Sequence, residues 1–430
     1  MSSILTNNGA MVALQTLKSI NSNLATTQQE ISTGKRVATA KDNAAVWAIS
    51  KVMEADVKGF KGISDSLNLG QSTVAVARQA AETVTDLLTD MKGKIVAAQE
   101  SNVDRDKIQT DIDALRDQIA SVTGAAQFNG LNLTSNLDTT AGTGTVNVLS
   151  SLDRSGAGVT SSDISVRKQD LTTQTAALTG TWTATAGDNG TLNATQSDTL
   201  TITAPTAAGR VYSLSVFGTD ADNSSFTQAD LRTGAAITPA NAGELDEIMY
   251  VTKDGDTAAD VAKGLAQAFA IYAANNSIDP DVLTVTQNGS GLDIASTVSN
   301  ATDTIQVQVN TGTAGAGASA TIGGGLAEVS NIDVTTDAGA DAALVAIEFM
   351  IQNSIDAAAS FGSVQGRLET QQEFVTSLSN ALKSGIGTLV DADMEEASAR
   401  LQALQVQQQL GVQALSIANQ APQSLLSLFR

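Results

Sequence analysis

The sequence predicts a mainly α-helical protein: a coiled-coil or helix-bundle core formed by both chain termini, carrying an inserted, strand-rich α+β domain. Three observations predict it. Apolar residues recur at alternating steps of three and four near both ends of the 430-residue chain, which is the spacing of a coiled-coil seam. The only prolines are Pro205, Pro239, Pro280 and Pro422, so nothing in the N-terminal part interrupts a long helix. The middle of the chain changes texture to Thr, Ala, Gly and Asp, with short alternating runs between turn residues.

The first forty residues carry one seam, at Leu17, Ile20, Leu24, Thr27 and Ile31. The longest helical signal then runs from about Lys41 to Glu100. Its seam is Phe60, Ile63, Leu67, Gly70, Val74, Ala77, Ala81, Val84, Leu88, Met91, Ile95 and Ala98. A helix of that length extends roughly 90 Å, which implies a rod. A turn at 101–105 leads to an antiparallel neighbour with a seam at Ile108, Ile112, Leu115, Ile119 and Val122, and Gly124 marks its end. A third seam returns near the other terminus, from about Asp341 to Lys383: Leu344, Ile347, Ile351, Ala358, Phe361, Val364, Leu368, Val375, Leu378 and Leu382. Matching seams so far apart in sequence predict one bundle closed by both chain ends.

The segments TVNVLSS and DISVRKQDL, between about Thr145 and Leu171, predict a pair of strands. Beyond them TLTITAP, VYSLSVFG, EIMYVTKDG, VLTVTQ and TIQVQV predict further strands, and DTAADVAKGLAQAFAIYAANN an amphipathic helix with Val261, Leu265 and Phe269 inward. The glycines 323–325 look like a flexible joint back to the bundle. From Thr173 to Val334 there are 4 Lys/Arg against 17 Asp/Glu, a net charge of -13 out of -21 for the whole chain. So acidic an insertion fits an outer, solvent-facing layer.

The C-terminal segment has its own seam, Ala397, Leu401, Leu404, Gln408, Gly411, Leu415 and Ala418. Val406, Leu410, Val412 and Ile417 lie off it, and the chain closes on Leu425, Leu426, Leu428 and Phe429. A helix apolar on several faces is surrounded by other protein. Two short terminal helices cannot surround each other, so copies of the same chain are expected to cover the rest. The subunit-packing candidates are Leu17, Ile20, Leu24, Ile31, Leu401, Leu404, Leu410, Leu415, Ile417, Leu425, Leu428 and Phe429. A C-terminus tucked into its own core would explain the apolar ending but not the extra faces.

Composition narrows the chemistry. The chain has no histidine and no cysteine, which removes Ser-His triads, thiol nucleophiles and Cys/His zinc sites. No catalytic activity and no cofactor are expected. The acidic balance argues against nucleic acid as a partner. No unbroken apolar run of membrane-spanning length occurs, so no membrane insertion is expected, and the N-terminus lacks the pattern of a cleaved secretory signal. Asp254, Asp256 and Asp260 read as a turn and helix cap, since the spacing of a calcium loop fails. Asp220 and Asp222 fail the same test. Asn223-Ser-Ser matches a glycosylation sequon, a motif short enough to arise by chance.

Two stretches resemble the end signatures of the bacterial flagellin family. ISTGKRVATAKDNAAVWAIS, from Ile31 to Ser50, is similar to its N-terminal signature, with Arg36, Lys41, Asp42 and Asn43 on the matching positions. SIANQAPQSLLSLFR, from Ser416, is similar to its closing signature through Asn419, Gln420, Pro422 and Arg430. VDADMEEASARLQALQVQQQ is similar to the family's C-terminal helix. Asn43 stands where a second Asp is usual, and Val46 and Trp47 where Gly and a small or aliphatic residue are usual; such alternatives resemble alphaproteobacterial members. The resemblance implies a structural subunit that self-assembles into the helical flagellar filament used for swimming, secreted by the type III export apparatus without a cleaved signal. It further implies an export chaperone, cap and junction proteins as partners, and glycans, where present, on Ser/Thr of the outer domain. It places 1–41 with 386–430 in an innermost helical domain and 42–172 with 328–385 in a helical bundle with a β-hairpin. Residues 173–327 are then the variable outer α+β domain. A hook–filament junction protein of the same superfamily, or a surface adhesin acting through the outer domain, are the alternatives.

Overall fold

In the computed structural model, the structure describes residues 7–138, 140–155, 158–178, 182–193, 196–221, 226, 231, 248–299, 302–314, 320–323 and 325–428. In chain order the elements are α1 (Asn8–Thr33), α2 (Ala44–Ala98), α3 (Arg105–Ala125), β1 (Gln127–Phe128), β2 (Leu131–Asn132), β3 (Thr145–Ser155), β4 (Gly158–Arg167) and β5 (Thr175–Leu178). They continue with β6 (Trp182–Leu192), β7 (Ser197–Thr201), β8 (Arg210–Thr219), β9 (Met249–Val251), α4 (Ala258–Asn275), β10 (Thr284–Asn288) and β11 (Gly291–Ala295). The last are β12 (Thr304–Ala314), β13 (Ala320–Gly323), a 3-10 turn (Ala327–Asn331), α5 (Asp337–Val390) and α6 (Met394–Leu428). The helical termini and the strand-rich middle are the fold class that the sequence predicts. Contacts divide the chain into two compact units, one of Met1–Asp65, Ser151–Thr160 and Gln372–Arg430, the other of Ser66–Ser150 and Ser161–Gln371.

In the second unit the seam of α2 is buried from Leu67 through Val74, Ala77, Ala81, Val84, Leu88, Met91 and Ile95 to Ala98. Ile112 and Ile119 of α3 and Ile347, Phe361 and Leu368 of α5 are buried as well. Polar pairs flank the seam and fix the direction of α5. Arg78 Nε donates to Gln365 Oε1 at 2.9 Å, Thr85 Oγ1 to Ser354 Oγ at 2.9 Å, and Gln99 Nε2 to Asp341 Oδ1 at 3.2 Å. Lys92 pairs with Glu348 between the last two. Residues 78, 85, 92 and 99 are one heptad apart, and their partners fall as they rise, so α2 and α5 run antiparallel. Ser354 is buried and donates to the Ala81 carbonyl at 3.0 Å; a hydrogen-bonded polar side chain there fixes the register where apolar contacts alone would slide. Helix α3 starts on Asp104, whose carboxylate accepts from the Lys107 N–H. It lies back along α2, with Lys94 Nζ 2.5 Å from Asp111 Oδ2.

Helix α5 is longer at both ends than its seam predicts. Thr336 caps it by accepting from the Gly339 N–H, and no proline or turn residue stops it before Val390. By length and mean hydropathy α5 could cross a membrane, although the sequence holds no unbroken apolar run of that length. Its Ala346, Ile347, Met350, Ala357 and Phe361 are instead buried within the chain.

The strand-rich part of the second unit has its own core. One antiparallel sheet has the order β6-β12-β8-β9, another β10-β11-β7. Tyr212, Leu214 and Val216 of β8 alternate into one cluster with Ile305, Val307 and Val309 of β12. Val261, Leu265 and Phe269 of α4 join it, as their spacing predicts. Strands β3 and β4 pair, as do β5 and β13. The sequence pattern misses β1, β2, β5, β6, β11 and β13, and it extends the segment TLTITAP beyond Thr201, where β7 ends before Pro205.

The glycines 323–325 do not form a loose joint at their described positions. Gly323 pairs with Thr175, and a Cβ on Gly325 would sit 2.0 Å from the Asp170 carbonyl oxygen. Close packing selects glycine there; Gly324 lies outside the described residues. Gly264 of α4 is similar, since a Cβ would meet the Tyr250 ring at 2.1 Å. In an open helix Gly→Ala gains stability. Here Gly264→Ala is expected to lower it by about 1–3 kcal/mol, as overpacking does, read as a fall in the denaturant midpoint of the strand-rich part. A rise would show that the ring moves aside freely.

The first unit holds α1, α6, the start of α2 and the end of α5. Ile63 and Val375 are buried, and Gln372 Nε2 donates to Ser64 Oγ at 2.6 Å.

Candidate functional site at the paired chain ends

The chain has its candidate site where α1 and α6 meet. Asn7 opens α1 as its cap, with its side-chain oxygen accepting from the Ala10 N–H, and its Nδ2 donates to the Ala418 carbonyl at 2.8 Å. Leu17 and Ile20 lie against Gly411, and Gln408 Nε2 donates to Asn21 Oδ1 at 2.8 Å. The two helices therefore run antiparallel. The seam faces inward: Ile20, Thr27, Ala397 and Leu404 are buried, and Leu17, Leu24, Ile31, Leu401 and Leu415 are half-buried.

The off-seam residues are left uncovered. Val406 is 56% exposed, Leu410 58%, Val412 54% and Ile417 68%. Met11, Val12 and Leu14 of α1 are exposed too. These three carry the same sequence signal as Leu410, an apolar residue off the helix seam, but on α1 only seam residues are among the packing candidates. Phe374, exposed on α5, also escaped the sequence reading. Among the packing candidates, the side chains of Leu425 and Leu428, and Phe429 altogether, lie outside the described residues, as do the side chain of Pro422 and all of Arg430. Asn419 and Gln420 are exposed on α6.

The N-terminal signature is a turn that joins the two ends of the chain. Gly34 ends α1 with φ +66°. Arg36 N–H then donates to the Val390 carbonyl at 2.7 Å, its Nη2 donates to Leu389 at 3.1 Å, and the Ala392 N–H donates back to Gly34 at 3.0 Å. Lys35 and Asp391 form an antiparallel bridge. Asp42 closes the turn by accepting from the N–H groups of Thr39 at 2.8 Å and Ala38 at 3.1 Å and from the Thr39 hydroxyl. Asn43 caps α2 by accepting from the Val46 N–H at 3.1 Å. An asparagine serves there as well as the usual aspartate, because capping needs only the side-chain oxygen. Lys41 is exposed beside them.

The Thr39 N–H above all, then the Thr39 hydroxyl and the Ala38 N–H, hold the Asp42 carboxyl below its usual range. A carboxyl with a lowered folded pKa stabilises the fold above its unfolded pKa. That contribution is lost as the pH falls through the folded value. The turn is therefore expected to loosen only below the ordinary carboxylate range. Asp42→Ala is expected to speed amide exchange at Ala38 and Thr39 at neutral pH; unchanged exchange would remove Asp42 from this role.

The ends carry the family match. The model of the bacterial flagellin N-terminal helical region matches residues 4–139, and that of the C-terminal helical region matches 344–429. Flagellin A of Rhizobium meliloti is 35% identical over the full length of both chains. The chain belongs to the bacterial flagellin family. Flagellin B of Rhizobium meliloti is 34% identical, again over both full lengths. Flagellin FljK of Caulobacter vibrioides is 29% identical over all of this chain and 99% of its own. These are alphaproteobacterial flagellins, the lineage that Asn43, Val46 and Trp47 resemble. The solved FliC from Burkholderia pseudomallei aligns over 69% of this chain and 99% of its own, at 15% identity and a TM-score of 0.30. Membership makes this chain a subunit of the extracellular flagellar filament, a structural protein of a self-assembling family.

In the middle of this flagellin-family chain, Asp220, Asp254, Asp256 and Asp260 have structural partners, Asp220 by accepting from the Phe226 N–H at 2.8 Å. Thr257 caps α4 and forms a reciprocal capping box with Asp260. Asp256 Oδ2 accepts from the Lys253 N–H at 2.7 Å and the Tyr250 hydroxyl at 2.8 Å. Asp254 accepts from the N–H groups of Gly142 and Gly144. These are the turn and cap that the spacing predicts. Asp222 and the Asn223 sequon lie outside the described residues.

Proposed function

We propose that the filament core is built by residues 1–41 and 386–430, with the off-seam faces of α1 and α6 buried against neighbouring copies. The carrying observation is the exposure of Val406, Leu410, Val412 and Ile417 on a helix whose seam is already filled. One partner helix covers one stripe; the remaining stripes need other chains. In the free chain these ends cannot offset their ordering entropy, so they order on joining the polymer. Head-to-tail contacts that do not close give an open helical filament. Residues 42–172 and 328–385 form the next shell, and 173–327 the outer domain. The chain has no catalytic role, leaves the cell without a cleaved signal, and meets an export chaperone, a cap and junction proteins on the way. The test is the make-up of sheared filaments. As the filament subunit, this chain is a bulk component by quantitative mass spectrometry. As a junction protein, it would be a trace.

A further inference from the structure

Within the second unit, the strand-rich part meets the helices through polar contacts. Helix α4 spends its apolar face on its own sheets. Its other face carries Lys263, whose Nζ lies 2.5 Å from Asp356 Oδ2 of α5, and Gln267, which exchanges hydrogen bonds with Asn353 at 3.1 and 3.4 Å. Arg167, at the end of β4, reaches Asp256 at 2.7 Å and Asp260 at 3.2 Å. Lys253 Nζ lies 2.8 Å from Asp170 Oδ2, with side chains only 10% and 4% exposed. These groups line a cleft of about 920 Å³. Of the four cations lining it, Lys263, Arg167 and Lys253 already face carboxylates, so the cleft reads as a joint.

Apolar contact is non-directional and tolerates sliding. A buried ion pair adds little net stability, because desolvation offsets the attraction, but it admits few geometries. We propose that Lys253–Asp170, backed by Arg167 with Asp256 and Asp260, sets the angle at which the strand-rich part is mounted on its helices. The pair supplies orientation and no net stability. Whatever surface the strand-rich part displays is then displayed at one fixed angle.

The chain has no cysteine, so two labels can be placed uniquely. Thr89→Cys on α2 and Thr286→Cys on β10 are exposed positions for spin labels in the full chain. In that background the double variant Lys253→Met, Asp170→Asn removes both charges and keeps the side-chain oxygen that accepts from the Thr172 N–H and hydroxyl. The expected result is a thermal midpoint equal to or above the parent's, protected amides in β8 and β12, and an inter-label distance distribution at least twice as wide. An unchanged narrow distribution would overturn the orienting role. A lowered midpoint, or loss of protection in β8 and β12, would overturn it too, since the pair would then be acting through stability.

Discussion

Replacing Leu410 and Ile417 together by glutamate is expected to abolish filament formation while leaving the free chain folded. Both side chains are exposed on α6, so glutamate there costs the monomer little. In the proposed filament core both positions are buried. An uncompensated buried carboxylate costs several kcal/mol. Even about 4 kcal/mol per added subunit raises the concentration needed for growth about a thousandfold. Sedimentation of the variant over a range of concentrations reads this directly. Circular dichroism equal to the parent's keeps the result from being a folding defect. Leu404→Glu separates the two faces: Leu404 is buried in the α1–α6 seam, so that change should disturb the pairing of the ends themselves.

Phe361→Ala is expected to be the most damaging single change to the second unit. The ring is fully buried on the α5 seam, and truncating a buried phenylalanine costs about 3–5 kcal/mol through lost transfer energy and the cavity left behind. Phe374, on the same helix, is 58% exposed. Phe374→Ala should change monomer stability by no more than about 0.5 kcal/mol. Amide exchange in α2 and α3 compares the two variants, and a similar effect of both would mean that the seam does not hold the bundle.

The bundle was legible because a heptad seam encodes burial directly. The residues of α2 chosen by spacing from Leu67 to Ala98 are all buried, with Thr73, Ala80 and Leu87 buried beside them. The seam of α6 was legible for the same reason, and the residues left off it are the exposed ones. The strands read less well. Strand β6, with Thr, Ala, Gly, Asp and Asn along its length, has none of the alternating aliphatics that mark VYSLSVFG; its place comes from pairing along β12. Strand β11 is five residues long and begins on a glycine. The signature turn was recognisable as a motif, but not its task. That Arg36 and Lys35 join residues 389–391 depends on two segments over 350 positions apart in sequence. No local pattern records such a pairing. The polar joint at Lys253 and Asp170 is hidden likewise, because each residue alone resembles a surface charge.

The central claim, that the apolar faces left uncovered by the α1–α6 pairing gain partners only from neighbouring copies, and that the ends become ordered there, is tested most directly by limited proteolysis of monomer and filament side by side, with cleavage sites mapped by mass spectrometry. The account predicts that residues 1–40 and 390–430 are removed from the monomer and protected in the filament. Equal protection of those segments in both states would contradict it.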